Sequence, residues 1–317
     1  MKAVFLDHAS LDQNDLDFNA LAVLFTELKY YSASTSEQSL ARIADADVVI
    51  TNKVVIDREM LLHCPQLKLI LISATGTNNV DLQQAKLQGI VVSNCQGYGT
   101  AAVAQHTFAL MLALATSLLK YDRAVRDGYW STSTQFCLLD FPIVELANKT
   151  LGIVGYGELG QAVAAIAKAF GMNVLVAALP HRPHSADRVA LAELLPQVDF
   201  LTLHCPLTEQ TRDLIDTPAF TAMKTSAFLI NCARGGIVNE AALVTALTQG
   251  QIAGAAIDVL SIEPPPANHI LLSGDVPNLI ITPHSAWGSV DARQRIVNQM
   301  VENMQAFSQG KALRQVN

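Results

Sequence analysis

The feature that most restricts this chain is a rhythm: short, unbroken apolar runs alternate with stretches of helical periodicity, and the alternation occurs twice. In the first part, Lys2–Leu6, Val48–Ile50, Leu69–Ile72 and Ile90–Val92 read as strands. Between them lie helical segments at Glu37–Ala44, Asp57–Leu62 and Asp81–Gln88, the last closed by Gly89. Asp17–Leu28 spaces Phe18, Leu21, Leu24, Phe25 and Leu28 on one helical face and predicts a further helix. A long apolar helix is predicted at Thr100–Leu119, then an irregular stretch through Ile143. The rhythm resumes with Leu151–Val154, Val174–Ala177, Phe200–Leu203, Ala227–Asn231, Gly254–Asp258 and Leu279–Thr282, and a last helix covers Ser289–Phe307. A strand apolar at every position is buried on both faces, which calls for a parallel sheet covered by helices. The fold class is therefore α/β, with two doubly wound parallel-sheet lobes.

Composition narrows the function. Half the residues are hydrophobic and 15% are charged, so the chain has the apolar surface to fold. The net charge of −7 and the lack of any Lys/Arg cluster exclude a general nucleic-acid partner. The longest apolar run, Phe108–Leu119, falls well short of the roughly 20 residues that span a bilayer, so no membrane partner is expected. The five cysteines are scattered without a C-x-x-C pair, and His8, His63, His181, His184 and His269 show no ligand spacing. No metal and no disulfide framework are expected, and the location is expected to be cytoplasmic.

Chemistry enters at Gly155-Tyr-Gly157-Glu-Leu-Gly160, which follows an apolar strand and opens a helix containing Val163, Ile166 and Phe170. In that setting Gly155 permits a tight turn, Gly157 lets the backbone approach a pyrophosphate, and Gly160 allows close helix–strand packing. The helix N-terminus presents N–H groups and a positive dipole end to the phosphates. The next strand ends Val174-Leu-Val-Ala177-Ala178, with no acid to take the ribose hydroxyls of NAD, and Arg182 follows. Downstream, Arg234, Glu263 and His284 each follow an apolar strand closely, where ligands of open parallel sheets bind.

The ordered set Ala74-Thr-Gly-Thr-Asn-Asn-Val-Asp81, the glycine turn, His204-Cys-Pro-Leu-Thr208, Asn231-Cys-Ala-Arg234-Gly, Asp258 to Glu263, and Thr282-Pro-His284 resembles the D-isomer-specific 2-hydroxyacid dehydrogenases, in their glycerate dehydrogenase/hydroxypyruvate reductase branch. The resemblance implies a Rossmann-like dinucleotide-binding domain over 101–285. It also implies a flavodoxin-like substrate domain over 1–100 plus 286–317. It assigns His284 as proton donor to the substrate carbonyl, Glu263 as its partner, and Arg234 as the fork on the substrate's carboxylate and carbonyl oxygens. Thr75, Gly76 and Thr77 would bind that carboxylate through backbone N–H groups. Glu158 and Leu159 join the three glycines at the cofactor, with His204, Pro206 and Thr208 on its adenine side, Cys232 and Ala233 along it, and Asp258 at the carboxamide. The implied activity is reduction of a small 2-oxo acid, hydroxypyruvate or glyoxylate, with NAD(P)H. Arg182 leads us to expect NADPH to be moderately favoured, and a homodimer is implied. The rival readings are a dehydrogenase of another D-2-hydroxy acid such as D-lactate, and a cofactor-sensing, corepressor-like binding protein.

Overall fold

The computed structural model describes residues 1–180 and 185–317, so Arg182, His181 and His184 lie outside the described residues. The chain divides into two compact units, one formed by Met1–Gly99 with Gly288–Asn317 and the other by Thr100–Trp287.

In the first unit, strands β1 (Lys2–Phe5), β2 (Glu27–Tyr30), β3 (Val48–Thr51), β4 (Leu69–Ile72) and β5 (Val91–Ser93) form one parallel sheet. Its order is β2-β1-β3-β4-β5, the flavodoxin-like winding. All of β3 and β4 is buried, which is why these runs are apolar at every residue. The helices between them start where side-chain caps occur: Thr35 closes a capping box with Gln38, and Asp57 and Asp81 accept from the N–H groups of Met60 and Gln84.

The helix predicted at Asp17–Leu28 is not formed. A single turn, Asn19–Ala22, is followed by edge strand β2, whose side chains are largely exposed. Pairing of Glu27–Tyr30 with β1 supplies a backbone ladder that outweighs the helical spacing of the apolar residues. At the opposite edge, the C-terminal tail covers β5. Gln315 bridges Ser93 in antiparallel register, and the Asn317 side chain accepts from Val92 N and donates to Ile90 O. An otherwise open strand edge is thereby closed.

In the second unit, strands β6 (Thr150–Val154), β7 (Asn173–Ala178), β8 (Val189–Ala190), β9 (Phe200–Leu203), β10 (Phe228–Asn231), β11 (Gly254–Ile257) and β12 (Leu279–Ile281) make a seven-stranded parallel sheet. The order β12-β11-β10-β9-β6-β7-β8 winds outward from β6 in both directions, the Rossmann-like arrangement. The long helix predicted at Thr100–Leu119 instead spans Thr100–Ala115 and breaks at Ser117, which has φ +51°. The stretch expected to be irregular holds helices Leu118–Arg126 and Tyr129–Thr132. Among the described residues no single helix is long and apolar enough to cross a membrane. Four cysteines are buried and Cys137 is exposed, and among the described residues they form no disulfide.

The final helix, Val290–Ser308, is held to the first unit by a buried arginine. Arg293 donates to both carboxylate oxygens of Asp15 at 2.6 and 2.7 Å, to Leu11 O and to Gly288 O. The guanidinium beside Asp15 pulls its carboxyl down to about 2. Because the folded-state value is depressed, the stabilisation is complete above the unfolded value near 4 and is lost as pH falls toward 2. Asp15→Asn should therefore lower Tm at pH 7 and lose less stability than the native chain between pH 4 and 2, as measured by thermal melts across that range.

Candidate active site

The glycine turn lies at the C-terminal end of β6, where the winding of the sheet reverses. Gly155 has φ +96°, and a Cβ there would sit 2.5 Å from Cys205 N, in the segment after β9. A Cβ on Gly160 would fall 2.2 Å from Gly155 O, so the helix Glu158–Ala169 packs against the turn with no room for a side chain. By contrast, nothing lies within 4 Å of a Cβ on Gly157. The backbone there is open in front of a twelve-residue helix N-terminus, a cradle that fits a pyrophosphate.

The neighbouring positions divide into those that face this cradle's surroundings and those that brace it. Leu159 packs into the core, and Glu158 accepts a hydrogen bond from Thr100 Oγ1 at 2.6 Å. His204 lies beside Gly155 and its burial pushes the imidazole down to about 4, so the ring is neutral. Its Nε2 meets Thr202 Oγ1 at 3.0 Å, while its buried Nδ1 has no partner among the described residues. A buried, unmatched ring nitrogen beside the cradle is a ready hydrogen-bonding point for a bound molecule. Pro206 and Thr208 are exposed on a turn pinned by Thr211, whose hydroxyl donates to Pro206 O and accepts from Thr208 N.

Three adjacent strands, β10, β11 and β12, carry Arg234, Glu263 and His284 in the loops that follow them. The sheet's hydrogen-bond ladder continues into these loops. Asp258 N donates to Asn231 O, and His284 N donates to Asp258 O. After β10, Asn231 folds the chain back, accepting from Ala233 N and donating to Arg234 O. Cys232 and Ala233 are buried by this turn, and burial pushes the Cys232 thiol up to about 12, so it is no nucleophile. Arg234 is exposed, with one guanidinium nitrogen donating to Ala233 O. A Cβ on Gly235 would lie 1.8 Å from Leu260 O, so this turn fits flush against the loop that carries Glu263.

Glu263 and His284 form a dyad. His284 Nδ1 and Glu263 Oε2 are 2.6 Å apart, and Glu263 Oε1 accepts from Leu260 N. His284 has φ +52°, an unusual backbone state for a side-chain-bearing residue. Asp258 explains how it is held. Its buried carboxylate accepts from Thr282 Oγ1 at 2.6 Å and from Ser285 N and Ala286 N at 3.0 Å, clamping the chain on both sides of His284. His106 Nε2 completes the network at 3.1 Å from Thr282 Oγ1 and 3.5 Å from Asp258 Oδ1. From sequence, His106 reads as either a domain-interface contact or a polar break in the apolar helix, and Thr282 carries no role beyond its place before Pro283 and His284. No local motif links positions so far apart along the chain. Among the described residues no group of His, Cys, Asp or Glu side chains is arranged to hold a metal ion.

In the first unit, Thr75, Gly76 and Thr77 form the turn after β4. Thr75 Oγ1 donates to Cys95 O, and Asn94 Nδ2 donates to Thr75 O, which fixes the turn against the end of β5.

Residues 108–286 match the model of the D-isomer specific 2-hydroxyacid dehydrogenase, NAD binding domain. The chain is 44% identical to the glycerate dehydrogenase of Methylorubrum extorquens, over 98% of this chain and 97% of that one. It is 38% identical to the hydroxypyruvate reductase of Blautia hydrogenotrophica over the full length of both. Among solved structures it is similar to an acyclic imino acid reductase in complex with NADPH and D-Arg, with TM-score 0.85, 28% identity and full coverage of both chains.

The tight packing of Gly160 yields a direct test of the cradle. Gly160→Ala must displace backbone, so it should cost about 1–3 kcal/mol of stability and abolish dinucleotide binding, measured by thermal melt and by titration calorimetry.

Proposed function

The chain belongs to the D-isomer specific 2-hydroxyacid dehydrogenase family, and from that premise we propose that it reduces hydroxypyruvate or glyoxylate to the D-2-hydroxy acid with NAD(P)H. The observation that carries this reading is the 2.6 Å pairing of His284 with Glu263, beside the Arg234 turn and after strands of the same parallel sheet that carries the glycine cradle. In it, Thr100–Trp287 is the dinucleotide domain and the other unit the substrate domain. The glycine turn, Glu158, Leu159, His204, Pro206, Thr208, Cys232, Ala233 and Asp258 surround the dinucleotide, and Thr75–Thr77 take the substrate carboxylate.

The bound nicotinamide supplies the hydride. In the protonated ring, Nδ1–H donates a hydrogen bond to Glu263, which holds the imidazolium and turns Nε2–H to the carbonyl oxygen as the proton donor. Loss of the Nε2 proton leaves the neutral Nδ1–H tautomer, whose bare Nε2 is the base of the reverse direction, and Glu263 balances the imidazolium whenever it is present. Arg234 presents a planar fork to the substrate's carboxylate and carbonyl oxygens, so charge developing on the carbonyl meets fixed positive groups. NADPH is the favoured cofactor in this reading, because Ala178 leaves no acid at the end of β7 and Arg182 follows it. A cytoplasmic location fits cysteines that form no disulfide among the described residues.

Steady-state reduction of hydroxypyruvate, glyoxylate and pyruvate with each cofactor tests the reading. His284→Asn should cost at least about 10²-fold in kcat with cofactor affinity kept. Arg234→Lys should be severe despite equal charge. A native kcat in the His284 variant, or no turnover of any 2-oxo acid by the native chain, contradicts it. Arg182→Ala should lower kcat/KM with NADPH more than with NADH, and an equal effect on both removes Arg182 from the cofactor assignment.

The same unit exposes Trp130, Phe136, Leu139 and Ile143, with Phe136 94% accessible. An apolar strip of this extent on a folded unit is suited to burial against a second copy, and the protein is proposed to be a homodimer. Light scattering at micromolar concentration should give twice the chain mass, with Phe136→Ser shifting it toward the monomer.

A further inference from the structure

We propose that Arg188, seated on the ring of Tyr156, recognises a phosphate monoester on the adenosine ribose, the group that distinguishes NADP(H) from NAD(H). This rests on the dehydrogenase reading above and adds to Arg182 a second residue for its cofactor discrimination, one that no local motif marks.

Three observations converge. First, β8 pairs in parallel with the end of β7, Ala177 opposite Val189 and Ala178 opposite Ala190. Arg188, immediately before β8, is thereby brought beside the carboxyl end of the second strand of the dinucleotide fold. That end is where the adenosine ribose is read. Second, the guanidinium carbon of Arg188 lies 4.8 Å from the centroid of the Tyr156 ring. Tyr156 stands between Gly155 and Gly157, so the cation is tethered to the phosphate-binding turn itself. Third, the last residues of β7 carry no carboxylate to accept ribose hydroxyls, and the nearest one to Arg188 is a poor competitor. Asp187 is 4.0 Å from Arg188 Nε, beyond a charge-assisted hydrogen bond, and it accepts from the hydroxyl of Ser185.

The Arg188 side chain is 23% exposed. A mostly covered guanidinium stacked on an aromatic face keeps its planar donor edge in one place, which suits a doubly charged phosphate better than a mobile surface lysine would. Neutral ribose hydroxyls gain little from such a cation, so its effect is selective for the phosphorylated ribose.

Titration calorimetry on the full-length protein tests this with four probes: NADPH, NADH, 2′,5′-ADP and 5′-ADP. Arg188→Ala should weaken NADPH and 2′,5′-ADP by about tenfold or more, while NADH and 5′-ADP stay within about threefold. Arg188→Lys, which keeps the charge but loses the stacked fork, should fall between the native protein and the alanine variant for the two 2′-phosphorylated probes. Equal weakening of all four probes would show that Arg188 only props the glycine turn, and unchanged affinities would show that it faces no ligand. Either result overturns the proposal while leaving the dehydrogenase reading intact. Failure of the native protein to bind either dinucleotide would overturn that reading and the proposal together.

Discussion

The buried carboxylate of Asp258 is the contact on which the active edge of the second unit depends. A carboxylate in a core is costly unless its oxygens are matched, and here Thr282 Oγ1, Ser285 N and Ala286 N match them. Each of those donors flanks His284. The histidine is thus held in a left-handed backbone state by bonds made to its neighbours, and its side chain is left to Glu263. Strained geometry of this kind persists only where the surroundings over-determine it. Strand β11, entirely buried and built of Gly, Ala, Ala and Ile, sets Asp258 at the depth where this is achieved.

The second constraint is closeness of backbone. Gly155 against the segment after β9, Gly160 against the turn, and Gly235 against Leu260 are three places where no side chain fits. The first two shape the cradle at the point where the sheet's winding reverses, and the third locks the Arg234 turn to the Glu263 loop. The proposed reacting groups and the glycine cradle therefore follow strands of one parallel sheet, at the edge where open parallel sheets present ligands.

What was legible in the sequence follows from burial. Strands β3, β4, β9, β10 and β11 are buried at every residue, so they stand out as unbroken apolar runs. Edge strand β2 is mostly exposed, and its Glu27-Leu-Lys-Tyr30 carries no such mark. Leu24, Phe25 and Leu28 mimic a helix face there instead. Two-residue β8 is too short to leave a pattern. The glycine turn and the Arg234, Glu263 and His284 segments were readable because each is a local string. The support from His106 and Thr282 and the placement of Arg188 were not, because they arise from strands brought together by the fold.

The most direct test of this account is a single-turnover measurement of hydride transfer in Asp258→Asn, beside the equilibrium affinity for the dinucleotide. Asparagine offers an N–H group where the native carboxylate accepts one, so the clamp on residues 282–286 is broken without emptying the site. The account predicts a loss of at least about 10²-fold in the hydride-transfer rate at saturating dinucleotide, larger than any accompanying loss of dinucleotide affinity. A native transfer rate, or a loss confined to dinucleotide affinity, would contradict it: Asp258 would then serve the cofactor alone, and the position of His284 would have another cause.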